Sequence, residues 1–279
     1  MIEARNLTKV FGKQKAVDSL NLFIPEGTSY ALLGPNGAGK TTTMKMLSAL
    51  LSPTSGEAYI AGRKMTRNNT EIKKKIGMVS QHFSLHREMT VYEVLKLHGM
   101  MQKMPMKEIN RKAEELMKFA QLDKDRNKLV GKLSGGNKRK LMIIRAVMHD
   151  PEILFLDEPT VGLDASIRRA IWDLLKRLKN RGMTIILTTH YIEEASVLCD
   201  KIGMMYSGKL IEENTPEGFM SQIDPYVVES FNGDVTDYRY FKNREDAVAY
   251  IGETEGNSTL RNTNLEDVYI KFTQTRIDK

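Results

Sequence analysis

Cysteine and tryptophan occur once each in 279 residues, proline eight times, and aromatics make up only 7% of the chain. A lone thiol, Cys199, excludes an intrachain disulfide and suits a reducing cytoplasm. Its neighbours Val197, Leu198 and Asp200 fit a small buried residue better than a reactive thiol. No run of eighteen apolar residues occurs, so no membrane-spanning helix is expected. Residues 1–5 lead straight into strand-like sequence without a signal-peptide pattern. Repeats and low-complexity segments are lacking too.

What is present is enough chain for one large α/β domain and a smaller appendage. The net charge of +7 is uneven: residues 215–279 carry 12 Asp/Glu against 7 Lys/Arg, net −5, which leaves +12 for residues 1–214. A basic body suits nucleic acid, anionic headgroups or a polyanionic nucleotide, and charge alone does not choose. The chain changes character near Thr215.

The stretch Gly34-Pro35-Asn36-Gly37-Ala38-Gly39-Lys40-Thr41-Thr42 fits G-x-x-x-x-G-K-[ST]. A buried strand is expected over 29–33 before it and a helix over 40–50 after it. The glycines let backbone N–H groups turn inward, and the positive end of the new helix faces the same pocket. Lys40 can reach β- and γ-phosphates, Thr41 can hold Mg²⁺ by its hydroxyl, and Thr42 can donate to an α-phosphate oxygen. This is a nucleoside triphosphate cradle.

Residues 3–11 and 16–24 read as two strands joined by the turn at 12–15. Phe11, beside that turn, is either a core aromatic or a platform for an adenine ring. Residues 57–60 read as a strand, 71–76 as a short basic helix, and 77–80 as a strand ending at Gln81. The period then changes to helical over 91–101 and 107–121, so residues 83–130 form a helical insertion, reaching about 150 with the helix that follows. It holds His98, Met100, Met101, Met104 and Met106, which suit adaptable packing at a partner surface better than soft-metal coordination.

Ser134 is a candidate N-cap, and Gly135 and Gly136 leave backbone N–H groups bare, a second anion site. Lys138, Arg139 and Lys140 follow, either facing an anion or forming a solvated basic face. The apolar run 153–156 is a strand buried on both faces, and it ends in Asp157-Glu158. Carboxylates where such a strand surfaces can hold Mg²⁺ and address a water. Residues 166–181 form an amphipathic helix, and a further strand over 184–188 ends at His190. Past Thr215 short strands alternate with helices near 245–251 and 265–272, with no catalytic constellation.

These pieces, in this order, resemble the nucleotide-binding subunit of an ABC transporter over residues 1–214. Gly34 to Thr42 match the Walker A loop, Gln81 the Q-loop, Leu133 to Asn137 the signature, and Ile153 to Asp157 the Walker B strand. Glu158 matches the catalytic glutamate, 161–164 the D-loop ending at Asp164, and His190 the switch histidine; Phe11 falls at the adenine-stacking aromatic. The segments 156–164 and 188–195, with the tail 265–270, are similar to type-2 exporter ATPases. Asn137 and Val161 stand where glutamine and serine are commoner, and neither change removes a phosphate, metal or water ligand.

The resemblance implies an α/β P-loop fold with an N-terminal antiparallel β subdomain, an ATPase domain over 1–214 and an accessory α+β extension over 215–279. It implies ATP and Mg²⁺, the ion held by Thr41 and Gln81 and supported by Asp157. Lys40 and the amides of Gly34, Asn36, Gly37, Ala38 and Gly39 would neutralise phosphates, Glu158 would polarise the water, and His190 would contact the γ-phosphate. Ser134, Gly135 and Gly136 would come from a second copy in a head-to-tail homodimer, and Asp164 of the D-loop would also contact the nucleotide. A separate transmembrane permease subunit at the cytoplasmic face of the membrane is the expected partner, with no nucleic acid. The competing expectation is a soluble ABC ATPase acting on nucleic acid or ribosomes; those usually carry two cassettes or a long coiled-coil insertion, which this chain lacks.

Overall fold

The computed structural model describes residues 1–66, 68–231, 233–253 and 257–277. The chain divides into two compact units, Met1–Glu212 and Glu213–Lys279.

In the first unit, β1 (Ile2–Phe11) and β2 (Gln14–Ile24) make an antiparallel hairpin with Phe11 opposite Gln14. The chain enters β3 (Ser29–Leu33), whose five residues are all buried, and then α1 (Lys40–Leu47). β4 (Ser55–Ile60) and the two-residue β5 (Arg63–Lys64) return to the hairpin and complete a sheet in the order β2-β1-β4-β5. Ile2, Leu7, Leu20, Ile24 and Ile60 of that sheet pack with Met44 and Leu47 of α1 in one apolar core. The helix stops at Leu47 rather than Leu50, because Ala49 takes a left-handed φ of 57°.

The short α2 (Thr70–Lys73) is capped by Asn69, whose side chain accepts from Ile72 N. It is shorter than expected, because Ile76 already belongs to β6 (Ile76–Val79), paired with Ile153. The insertion follows as α3 (Val91–Met101) and α4 (Met106–Phe119). A capping box starts α3: Thr90 Oγ1 accepts from Glu93 N, and Glu93 Oε2 from Thr90 N. Short 3₁₀ turns at Asp123–Asp125 and Val130–Lys132 lead to α5 (Gly135–Ala146).

The remaining elements are β7 (Ile153–Asp157), α6 (Ala165–Lys179), β8 (Thr184–Thr189), α7 (Ile192–Leu198), β9 (Lys201–Tyr206) and β10 (Lys209–Asn214). Together they build a six-stranded sheet in the order β10-β9-β3-β8-β7-β6. Every residue of β3, β7 and β8 is buried, as expected of parallel strands covered on both faces. Their register pairs Leu33 with Thr189 and Asp157 with Thr188, so three strand ends emerge at one edge of the sheet. Ligand sites of open α/β sheets form at that edge.

In the second unit, Thr215 caps α8 (Pro216–Met220) by accepting from Gly218 N at 2.9 Å. β11 (Tyr226–Phe231), β12 (Thr236–Phe241), α9 (Arg244–Glu253), β13 (Asn257–Asn262) and α10 (Leu265–Ile277) follow, with antiparallel sheet order β12-β11-β13. Leu265 and Val268 of α10 are buried, and the Phe272 ring meets Phe219 edge-on at 6.4 Å. Arg261 bonds both oxygens of the fully buried Asp267 at 2.7 Å and Glu229 at 2.6 Å, fixing β13 to α10 and β11. Of the extension expected over 215–279, residues 232, 254–256 and 278–279 lie outside the described residues.

A fragment of residues 1–215 retains both sheets of the first unit. It is expected to fold and to bind ATP within about threefold of the whole chain, as a compact unit with its own core should. Calorimetric titration and thermal melting check this; a folded fragment without ATP binding would contradict it, and so would an insoluble one.

Candidate active site

The loop between β3 and α1 is held in shape by residues that tolerate no Cβ or demand a turn. Gly39, the N-cap of α1, has φ 102°, and a Cβ there would lie 2.4 Å from Ala16 O. Lys40 is buried, and its Nζ donates to Gly34 O at 2.7 Å and Pro35 O at 3.1 Å, which sets the ammonium inside the loop. It also lies 3.4 Å from Glu158 Oε1. Thr41 Oγ1, one residue on, donates to Asp157 Oδ1 at 2.8 Å.

At the ends of β7 and β8 the two carboxylates take different surroundings. Asp157 Oδ1 accepts from Thr188 Oγ1 at 2.6 Å as well as from Thr41. Glu158 takes φ 50°, a left-handed conformation that costs a non-glycine residue about 1–2 kcal/mol. Its N–H donates to Thr188 O and Thr188 Oγ1, both at 3.1 Å, which holds the strained turn. That turn aims the carboxylate between Lys40 and His190, whose Nδ1 is 2.8 Å from Glu158 Oε2. The His190 ring rests on Tyr191 at 4.1 Å between centroids.

Phe11, Asn36, Gly37, Gly39, Lys40, Thr41, Thr42, Gln81 and Glu158 line one cleft of about 280 Å³, with Gln14 and Ala16. Phe11 is half-exposed at its rim with Lys9 Nζ 5.2 Å from the ring centroid, so it is not a core residue. Gly34 and Ala38 sit in the same loop, with Gly34 N donating to Thr189 O at 3.3 Å and Ala38 N to Pro35 O at 3.2 Å. Asp157 and His190 join the cleft through Thr41 and Glu158.

Ser134, Gly135, Gly136 and Asp164 do not line it. Ser134 caps α5 by accepting from Asn137 N at 3.2 Å, and Asp164 caps α6 by accepting from Ile167 N at 2.9 Å. The two helix starts touch: a Cβ on Gly136 would lie 2.4 Å from Ile167 Cγ2. Ser134, Gly135 and Asp164 are exposed, so this end of both helices faces outward.

One side chain here differs from the sequence expectation. Arg139 neither faces an anion nor joins a solvated face: it is 1% exposed. Its Nη1 and Nη2 donate to Ser80 O at 2.9 Å and Gln81 O at 2.8 Å, and the guanidinium lies over Phe83. Burial pulls its pKa down, with Glu194 and Asp157 acting in the other direction. Asn137 turns away from the helix start and donates to Asp125 Oδ2 at 2.8 Å. Sequence reasoning also missed Thr188, which holds Asp157 and the Glu158 backbone, and the buried Thr160–Glu194 pair; the one signal was the polar Thr188-Thr189 end of an otherwise apolar strand.

Comparison with known proteins gives the same picture. The ABC transporter family matches residues 17–161. Nod factor export ATP-binding protein I of Cupriavidus metallidurans is 35% identical, over 98% of this chain and 97% of its own length. Linearmycin resistance ATP-binding protein LnrL of Bacillus subtilis is 37% identical, over 80% of this chain and 72% of its own. Among solved structures, the dimeric post-hydrolysis state of the ATP-binding cassette MJ0796 bound to ADP and Pi is 32% identical, with TM-score 0.70 over 77% of this chain and 98% of that one. An ATP binding subunit of an ABC transporter shares the fold over 98% of this chain and 99% of its own, with TM-score 0.73 at 23% identity.

Arg139→Ala would strip the donors from two carbonyls and leave a cavity. It is expected to cost about 2–4 kcal/mol of stability in urea titration, with Arg139→Lys losing less. A loss below about 0.5 kcal/mol, the range of ordinary surface substitutions, would contradict this account of the guanidinium.

Proposed function

The chain belongs to the ABC transporter family, and from that premise we propose that it is the ATP-hydrolysing subunit of an exporter, working as a head-to-tail pair. The observation that carries the reading is the division of the site. One cleft gathers Lys40, Thr41, Gln81 and Glu158, while the exposed Ser134 and Asp164 helix starts lie outside it. A second copy turned around would bring its Ser134, Gly135, Gly136 and Asp164 to this cleft.

Adenine would stack on Phe11, and Lys40 with the amides of Asn36, Gly37 and Gly39 to Thr42 would take the phosphate charge. The donor set of Thr41 hydroxyl, Gln81 amide oxygen and Asp157 carboxylate is all hard oxygen, and Asp157 already faces Thr41, which fits Mg²⁺. When bound, the ion neutralises charge on the β- and γ-phosphates. Glu158 would accept a hydrogen bond from the water that attacks the γ-phosphorus, releasing ADP and phosphate. His190, 2.8 Å from that carboxylate, would steady it and reach the γ-phosphate. The protein's share is position and electrostatics.

Among the described residues no helix is long and apolar enough to cross a membrane. A separate membrane subunit would dock on the helical insertion. There Phe83, Leu97, Met100 and Met101 are exposed, and Leu97 and Met101 line a groove of about 220 Å³ together with Arg145 and His98. Burial, then His149 and Arg145, lower the His98 pKa to about 4, so the imidazole meets that partner neutral. The groove adjoins Ser84, three residues past Gln81, so motion at the nucleotide would reach it along this short segment. The pair would sit at the cytoplasmic face of the membrane. The curated relatives carry export and resistance names, and nothing favours nucleic acid.

Glu158→Gln is expected to keep ATP binding, lose about 100-fold or more in turnover, and accumulate an ATP-bound dimer. Size-exclusion chromatography with ATP and a phosphate-release assay check this. A variant that stays monomeric, or hydrolyses at the wild-type rate, would overturn the assignment.

A further inference from the structure

Behind the cleft, out of reach of any nucleotide, lies a carboxyl group that the hydrolysis scheme does not use. Glu194, on α7, has no exposed surface. Its Oε1 accepts from Thr160 Oγ1 at 2.7 Å and from the Trp172 indole Nε1 at 3.2 Å. Glu194 Oε2 is buried with no hydrogen-bond partner.

Glu194 and its two donors belong to three different parts of the site. Thr160 stands two residues past Glu158 and opens the loop that ends at Asp164, turning back through Leu163 N to Thr160 O. Trp172 is on α6, the helix that Asp164 caps. Glu194 itself is on α7, which starts at Ile192, two residues past His190; Thr189 Oγ1 accepts from Tyr191 N at 2.9 Å across that histidine. An apolar residue would fill the same space without the cost of burying a carboxyl, so what this position supplies is an acceptor atom.

We infer that Glu194 is a positioning residue for hydrolysis, an acceptor that ties the loop following Glu158 to the helix that begins just past His190. The inference rests on the roles proposed for Glu158 and His190. The basic group facing it is Arg139 on α5, and the acidic groups are Glu158 past β7 and Cys199 past α7. Burial pushes the carboxyl up, with Glu158 adding to the rise, against the pull of Thr160, Thr189 and Trp172. Glutamine, of the same shape, keeps an acceptor oxygen for Thr160 and Trp172.

The test compares Glu194→Gln, Glu194→Ala and Thr160→Val in the full chain, by steady-state ATP hydrolysis across pH and by melting temperature. Glu194→Ala and Thr160→Val are expected to lower kcat about 10- to 100-fold, the scale of a small misplacement of catalytic groups, with KM within about threefold. Glu194→Gln is expected to restore kcat to within about threefold of wild type, with an unshifted pH profile. Two results would overturn the proposal: Thr160→Val lowering melting temperature with kcat unchanged, or Glu194→Gln falling as far as Glu194→Ala. Thr160→Val keeps the volume of its site, so the test stands if Glu194→Ala fails to fold. Failure of the underlying reading is separately visible, as continued turnover by Glu158→Gln.

Discussion

Asp157 is the constraint from which the rest of the site is measured. One of its oxygens takes hydrogen bonds from Thr41, in the first turn of α1, and from Thr188, near the end of β8. Those two bonds join the phosphate loop to the acidic strand end. They form only because β3, β8 and β7 are neighbours in parallel register, with Asp157 opposite Thr188 and Leu33 opposite Thr189. A one-residue slip would turn every side chain of β7 to the other face of the sheet and send the carboxylate away from the loop.

Several features here cost stability. Lys40, Asp157, Glu158, Arg139 and Glu194 are all buried, and Glu158 holds a left-handed backbone. Each is retained by specific bonds: Lys40 by carbonyls of its own loop, Arg139 by the carbonyls of Ser80 and Gln81, Glu194 by a hydroxyl and an indole. Buried polar groups tied this way leave little freedom to the loops they join. Arg139 links the α5 start, which carries Ser134, to the backbone of Gln81 in the cleft. Elements assigned to two different nucleotide sites of the pair are thereby joined within one chain.

Much of this was legible in the sequence, for identifiable reasons. Strand β3 and helix α3 fall where periodicity places them, because a buried apolar run and a 3.6-residue repeat with Thr90 and Glu93 at its start are strong local signals. The phosphate loop was legible because its chemistry lies within nine consecutive residues. Arg139 was not: a basic residue in a basic run reads as solvated, and its burial depends on carbonyls 58 and 59 residues away. Asn137 and Glu194 were hidden likewise, their partners being Asp125, Thr160 and Trp172. Short α7 and α8 escaped because seven and five residues hold too few turns to show a period.

A site shared between two copies of one chain is the central claim, and it makes a prediction that a self-contained site does not. Take one chain carrying Lys40→Met and another carrying Ser134→Arg. Each variant alone spoils both sites of its homodimer, one through the phosphate loop and the other through the signature. A mixed head-to-tail pair keeps one site intact, with Lys40 from the second chain and Ser134 from the first. The measurement is ATP-dependent association of the two chains, followed by energy transfer between fluorophores placed one on each. The account predicts association in the mixture and none in either variant alone; a mixture that stays apart, or Ser134→Arg chains that pair with one another as wild type does, would contradict it.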